Sequence, residues 1–176
     1  GVNIMQDNGR LSQSARCLIG GLCQYAPSLT AFGNTVASSY LRLVPHQEAP
    51  TKIFWSENNR AALIREPLGW AAAGDMAQKI NKKQQQPYQA SDGRQTIELR
   101  HPDGSASIFL LLAGISLAAH YGLDKQQGLA NAERYYIHGR IDEDSEQYRQ
   151  LPSLPHSCED SAALLAEKRT IYEEYG

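Results

Sequence analysis

The sequence predicts an α+β fold in which short antiparallel strands pack with helices. Helical spacing of apolar residues occurs near both ends and again after residue 105, whereas Lys52–Glu57, Ala61–Glu66 and Gln95–His101 have strand patterns. The strands and helices do not alternate regularly as in βαβ units, and there are no internal repeats. With 176 residues, 41% of them hydrophobic, the chain has enough apolar material for the core of one domain.

Two helices are predicted at the start of the chain. Ser12 is a suitable N-cap, and an apolar stripe follows it. The stripe consists of Ala15, Leu18, Ile19, Leu22 and Tyr25. Pro27 is expected to lie just past the end of this helix, because proline interrupts the helical hydrogen bonds. A second, short helix is expected from Ser28 to about Leu41.

Three strands are predicted next. Lys52–Glu57 alternates as a strand, Ala61–Glu66 is its expected partner, and "ENNR" between them has the composition of a hairpin turn. Gln95–His101 is the third strand. Between the second and third strands, Ala71–Lys82 has a helical pattern, and the polar residues 81–93 are expected to form a mobile loop.

The remaining elements are helical. The apolar segment Ser105–Tyr121 is predicted to be a helix that Gly122 ends, and its apolar character on nearly all sides places it in the centre of the fold. A last helix begins at "SCED", where Ser157 and Asp160 have capping-box spacing, and it continues towards Tyr175.

Composition excludes some classes of function. The net charge is −2 and no basic block or stripe is present, which argues against nucleic acid as a partner. The longest apolar run is broken by Gly114 and Ser116, so no membrane span is expected. The 3 cysteines have no pairing pattern, which is typical of a reducing, cytoplasmic location. The 5 histidines lack ligand spacing and are interpreted as structural or surface residues.

Charged side chains near the strand ends suggest a site. In "TIELR", Glu98 and Arg100 project from the face opposite Ile97 and Leu99. By itself this pair is typical of a surface salt bridge of little energetic consequence. Further charged groups, however, occur at strand ends and in the adjoining loops. They are Arg42, Glu48, Arg60 and Arg65. Guanidinium groups bind phosphate and carboxylate bidentately, so convergence with Glu98 predicts a site for phosphate with a divalent metal, as phosphoryl transfer requires.

Three motifs in the same order resemble the C-terminal part of glutamine synthetase. They are "APSLTAFGNTVASSYLRLVPHQEAP", "NNRAALIREP" and "IELRHPDGSAS", and "LPSLPHSCEDSAALLAEKR" also resembles the closing segment of that family. The resemblance implies that residues 1–176 are a partial catalytic domain, a C-terminal fragment of a larger chain. The family's N-terminal β-grasp domain and most of its metal ligands would lie upstream.

The resemblance also implies an activity and residue roles. The family joins glutamate to ammonia with ATP and Mg²⁺ or Mn²⁺ through a γ-glutamyl phosphate, and its members form rings, commonly of twelve subunits. Under this resemblance Glu48 is the flap-loop acid and Arg60 stabilises the phosphoryl group, which makes both catalytic. The other implied roles are glutamate binding for Arg42 and Arg100, nucleotide phosphate binding for Arg65 and Arg94, and metal binding for Glu98.

Departures from the family pattern keep two alternatives open. Ser38 and Thr96 replace an asparagine and an arginine of the family, with Arg94 two residues before Thr96. "DGSASIF" replaces "DPSANPY", and His46 with Gln47 replaces a glycine-aromatic pair. One alternative is a γ-glutamyl ligase for a polyamine or another amine, and the other is a non-catalytic relative. The fragment alone is expected to be inactive.

Overall fold

A computed structural model describes residues 3–7, 10–47, 49–67, 76–86, 95–124 and 127–174. The fold is α+β, as the sequence predicted. The strands are β1 (Gln6–Asp7), β2 (Arg10–Leu11), β3 (Trp55–Glu57), β4 (Ile64–Glu66) and β5 (Glu98–Leu99). The helices are α1 (Gln13–Gly33), α2 (Met76–Ile80), α3 (Ile108–Asp124), α4 (Gln127–Arg134), α5 (Glu146–Gln150), α6 (Cys158–Glu167) and α7 (Arg169–Glu174), with a 3₁₀ helix at Ala37–Leu41.

Helix α1 begins where the sequence predicted and ends later. The Ser12 hydroxyl accepts a hydrogen bond from the Ala15 N–H at 3.0 Å, which confirms the N-cap. Pro27 lies inside the helix, not beyond its end, and the predicted second helix is present only as the last turns of α1 and the 3₁₀ turn. Packing against α3, α4 and α6 holds α1 in one piece, because burial outweighs the hydrogen bond that proline cannot make.

The three strands near the centre of the chain form one sheet in the order β3-β4-β5. β4 and β5 are antiparallel, with Arg65 opposite Glu98. β3 and β4 pair as predicted but run parallel instead of as a hairpin, with Trp55 opposite Ile64. Asn58 is the first residue of the connection between β3 and β4. Its φ of 55° lies in the left-handed region, which asparagine tolerates better than most residues.

Helix α3 differs from its prediction in position and burial. It starts and ends three residues later than expected, and Gly122 lies within it. The expectation that α3 occupies the centre of the fold is wrong, since only a stripe at Leu111, Gly114, Ala118 and Gly122 is buried. Phe109 is 88% exposed and Ile108 is 64% exposed. The helix therefore uses one apolar face for packing and leaves the other outside.

Glycines bring three helices into close contact. A Cβ atom added to Gly122 of α3 would lie 2.1 Å from the Cys17 carbonyl oxygen of α1, and one added to Gly21 would lie 2.0 Å from the Ala118 carbonyl. A Cβ at Gly20 of α1 would lie 1.8 Å from the carbonyl oxygen of Gly128 in α4. These distances are far below van der Waals contact, so Gly122 is needed where α1 crosses α3 and does not act as a helix terminator.

The C-terminal helix starts as predicted and is interrupted. The Ser157 hydroxyl accepts from the Asp160 N–H at 3.0 Å and caps α6. The helix ends at Glu167, and the shorter α7 continues from Arg169. Within the described ranges no single helix is long and apolar enough to cross a membrane. Only α3 and α4 taken together would have the necessary length and apolar character, and they are bent by 105° relative to each other.

Candidate anion-binding site

Three of the predicted arginines line one cavity. Arg60, Arg65 and Arg100 share a polar cavity of about 470 Å³ with Gln47, Ala61 and Glu143. Arg65 lies on β4, Arg60 lies in the turn before β4, and Arg100 directly follows β5. The pairing of β4 with β5 therefore brings together guanidinium groups that are 35 to 40 residues apart in sequence. These three candidate side chains line the same cavity, and the roles implied for them stay predictions.

Arg65 is held by the predicted metal ligand. Its Nε and Nη2 atoms both donate to Oε2 of Glu98, at 2.8 and 2.6 Å. The two residues are direct cross-strand partners, so the register of β4 and β5 fixes the ion pair. Short, charge-assisted bonds of this kind fix the plane of the guanidinium group. Glu98 consequently serves here as the counterion that orients Arg65.

Arg100 is anchored to the chain that carries Arg60. Its backbone N–H donates to the Leu63 carbonyl at 3.0 Å. Its Nη1 atom donates to the carbonyl of Ala62 at 3.1 Å and to the carbonyl of Arg60. The turn after β3 is thereby tied to the end of β5, and both arginines are held at the same wall of the cavity.

Arg42 lies apart from this cavity. Its Nη2 atom donates to the carbonyls of His101 and Pro102, at 2.6 and 3.0 Å, so Arg42 contacts the segment that directly follows Arg100. The same His101 carbonyl accepts from Asn34 Nδ2 at 2.9 Å. Arg42 therefore joins the end of the 3₁₀ helix to the end of β5. Its implied role in binding glutamate stays a prediction.

The His101 imidazole is buried beside Arg42. The side chain is fully inaccessible to solvent. Burial lowers the pKa of His101 to about 3; the Leu29 backbone opposes this shift as a hydrogen-bond partner, and the positive charge of Arg42 adds to it. The imidazole is thus neutral at physiological pH, which allows it to pack next to a guanidinium group. His101 is structural, as the sequence analysis expected of the histidines.

Two predicted residues lie outside the described part of the chain. Glu48 and Arg94 belong to the gaps, so their roles stay predictions. Residues 87–93 of the expected mobile loop also lie outside the described residues. Residues 81–86 form turns that follow α2. Two residues of the cavity, Gln47 and Glu143, were not selected from the sequence. Glu143 belongs to "IDEDSE", which carries no recognisable motif, and only the tertiary structure brings it to the arginines.

The described residues do not form a metal site on their own. They contain no group of three or more His, Cys, Asp or Glu side chains arranged to hold a metal ion. Glu98 is the one predicted ligand, and both bonds from Arg65 fall on a single oxygen of its carboxylate. Divalent cations in proteins require several oxygen ligands. A metal at this site would need further ligands beyond the described residues.

The fold and the cavity together define an α+β unit with a guanidinium-rich wall suited to an anion such as phosphate or carboxylate. The family model described as "Glutamine synthetase, catalytic domain" matches residues 1–175. The chain therefore belongs to the glutamine synthetase family, as its motifs predicted.

Individual relatives agree with this assignment. Glutamine synthetase of Halobacterium salinarum is 33% identical over all of this chain, and that of Frankia alni is 40% identical over 66% of it. The chain spans 35% of the length of the Halobacterium relative and 20% of the Frankia relative. Plasmodium falciparum glutamine synthetase, solved by cryo-EM, has a TM-score of 0.66 and 21% identity over 98% of this chain and 40% of its own. That structural likeness supports the fold.

Proposed function

We propose that this chain is the C-terminal part of the catalytic domain of an ATP-dependent glutamate–ammonia ligase that forms glutamine through γ-glutamyl phosphate. The observation that carries the proposal is the convergence of Arg60, Arg65 and Arg100 on one cavity. The family assignment and the relatives named glutamine synthetase support the reaction class. The proposal includes Mg²⁺ or Mn²⁺ as the divalent metal and a cytoplasmic location.

The arginine cavity has the chemistry that phosphoryl transfer needs. The transferred group carries negative charge on several oxygens, and positioned cations stabilise that charge without forming a covalent bond. Arg65 is oriented by Glu98, and Arg100 is anchored to backbone carbonyls, so neither guanidinium has to be ordered when the anion binds. Arg60 is exposed at the cavity and is the side chain we assign to the phosphoryl group. Pre-ordered donors of this kind lower the cost of binding.

The rest of the active site is proposed to come from other parts of the full-length protein. The Halobacterium relative is nearly three times as long as this chain, which spans 35% of it, and the described residues supply no complete metal site. The chain is accordingly proposed to be inactive alone and to act within a homo-oligomeric ring, such as a dodecamer. ATP, glutamate and ammonia are the proposed substrates of that assembly.

A larger amine as acceptor is the second candidate. A further cavity of about 500 Å³ adjoins the arginine cavity, and Glu143 lines both. The lining of the second cavity includes carboxylates and hydroxyl groups as well as Lys52 and Arg149. The available volume would accommodate an acceptor larger than ammonia.

The test is ADP release by the full-length protein that carries this chain, with glutamate, ATP and Mg²⁺, first with ammonia and then with a panel of polyamines. Arg60→Ala is expected to lower kcat/KM by about a hundredfold, the usual effect of removing one group that stabilises transition-state charge. Arg60→Lys tests whether charge alone suffices, because lysine cannot bind bidentately.

Arg169→Ala is the matched control. Arg169 is an exposed arginine of α7, paired with Glu173 at 2.5 Å and remote in sequence from the cavity. Its loss is expected to leave the rate unchanged. ADP release that requires a polyamine would favour the second candidate, and no release with any amine would refute both ligase assignments and favour a non-catalytic relative.

A further inference from the structure

The loop before Glu48 leads into the arginine cavity. Gln47 lines that cavity, while Pro45 and His46 line the adjoining one. His46 has a φ of 63°, which lies in the left-handed region that residues other than glycine rarely adopt. The backbone therefore makes a defined turn at the point where the loop passes from one cavity to the other.

Glu143 contacts this turn. The His46 N–H donates to Oε2 of Glu143 at 3.4 Å, and the carboxylate belongs to the loop that precedes α5, 97 residues later in the chain. Glu143 is partly buried and lies on the boundary of the two cavities. The neighbouring Asp144 is 3.8 Å from the His46 imidazole, but that pair is largely exposed and contributes little. Glu143 is thus the better placed of the two carboxylates to hold the loop.

The charges of the cavity explain why a carboxylate is present at this position. Three guanidinium groups line the cavity and repel one another, and Glu98 pairs with Arg65. Glu143 adds a second negative charge on the wall shared with Gln47. The Glu143 carboxylate can therefore reduce the repulsion between the positive charges of the arginines and also accept the hydrogen bond from the His46 N–H.

We infer that Glu143 is a positioning residue, whose carboxylate holds the loop of residues 44–47 and so keeps Gln47 at the wall of the arginine cavity. The kinetic part of this inference rests on the proposed ligase function. At 3.4 Å the bond is longer than the usual 2.7–3.2 Å and is therefore weaker than a hydrogen bond of ordinary length.

The first experiment follows hydrogen–deuterium exchange in the full-length protein, in the peptide that covers residues 43–52. Glu143→Ala is expected to speed exchange of the loop amides roughly twofold, as for the loss of one hydrogen bond at the weak end of the usual range. Glu143→Gln keeps an acceptor oxygen and is expected to restore most of the protection. Glu146→Ala removes a nearby exposed acid that accepts a hydrogen bond within α5, from Gln150, and is expected to leave exchange unchanged.

The second experiment measures steady-state ADP release by the same three variants. Glu143→Ala is expected to raise the KM for the amine about tenfold while the KM for ATP stays unchanged, with Glu143→Gln close to the wild type. A loss of folded protein would lower kcat without changing either KM, which separates a positioning role from simple destabilisation.

Each result decides between the two claims. Unchanged exchange in Glu143→Ala would overturn the inference, as would faster exchange with an unchanged KM for the amine. Absence of ADP release from the wild type with every amine would refute the proposed ligase. In that case the exchange data alone still determine whether Glu143 holds the loop.

Discussion

The crossing of α1 with α3 and α4 and the arginine cavity are built on opposite principles. At the crossing, backbones approach so closely that Gly20, Gly21 and Gly122 leave no room even for a methyl group. In the cavity, three like-charged side chains surround a space of about 470 Å³. The contacts at the crossing are made between helices of this chain. The arginines of the cavity instead line a space in which an anion can bind.

This difference separates stability from function within one small fold. Close packing between helices gains dispersion energy and excludes water. A cluster of guanidinium groups opposes folding through mutual repulsion, and such a cluster is expected where an anion must be bound. Substitutions at the crossing should therefore change stability, and substitutions in the cavity should change activity.

The largest expected effect is at the crossing. Gly122→Ala should lower the free energy of unfolding by about 3 kcal/mol, because its Cβ atom would lie 2.1 Å from the Cys17 carbonyl and both helices would have to move. Urea denaturation of the full-length protein measures the change.

Gly104→Ala is the control for this prediction. A Cβ atom at Gly104 would meet no atom within 4 Å, so its free energy of unfolding should change by less than about 0.5 kcal/mol. Equal effects of the two substitutions would show that the close approach of α1 and α3 does not limit stability.

A smaller effect is expected at His101, which directly follows Arg100 and lies beside Gly33 at the end of α1. Its pKa of about 3 in the folded state is below the unfolded value of about 6.5, so the unfolded state binds more protons as pH falls. The contribution of His101 to the free energy of unfolding is fully present above pH 6.5 and is lost as pH falls from about 6.5 to about 3. The free energy of unfolding should drop by about 2 kcal/mol from pH 7 to pH 5 on account of His101.

The measurement compares urea denaturation at pH 7 and pH 5 for the wild type and His101→Gln, whose side chain does not titrate. The variant should lose about 2 kcal/mol less than the wild type over this interval. An identical pH dependence of the two proteins would contradict the buried, neutral state of His101.

The smallest expected effect is within the cavity wall. A double-mutant cycle of Arg65→Ala and Glu98→Ala should give a coupling energy of about 1 kcal/mol, since the side chains are 26% and 38% exposed and solvent screens the pair in part. Urea denaturation of the four proteins provides the value.

Arg169 and Glu173 form the comparison pair. They are more exposed, at 74% and 58%, and lie one helical turn apart, so their coupling should be about 0.3 kcal/mol. If the Arg65–Glu98 coupling were no larger than this, Glu98 would not be the group that orients Arg65.

Local chemistry made several elements predictable. Ser12 and Ser157 cap their helices with side chains that reach only three residues along the chain, and the apolar stripe of α1 is buried as its spacing requires. The arginine cluster could be predicted because its residues lie at the ends of strands and match family motifs. The family, the fold class and the three arginines of the cavity were accessible in this way.

Other features depended on contacts between distant residues. Pro27 stays within α1 and Gly122 stays within α3, although both residues normally end helices, because neighbouring helices stabilise the buried backbone. The parallel pairing of β3 with β4 likewise could not be read from local sequence. The same holds for the contact between His46 and Glu143, which are 97 residues apart. The sequence by itself determined the caps, the helical stripes and the family. The tertiary structure decided where helices end and which carboxylates face the arginines, because packing energies between distant segments exceed local preferences.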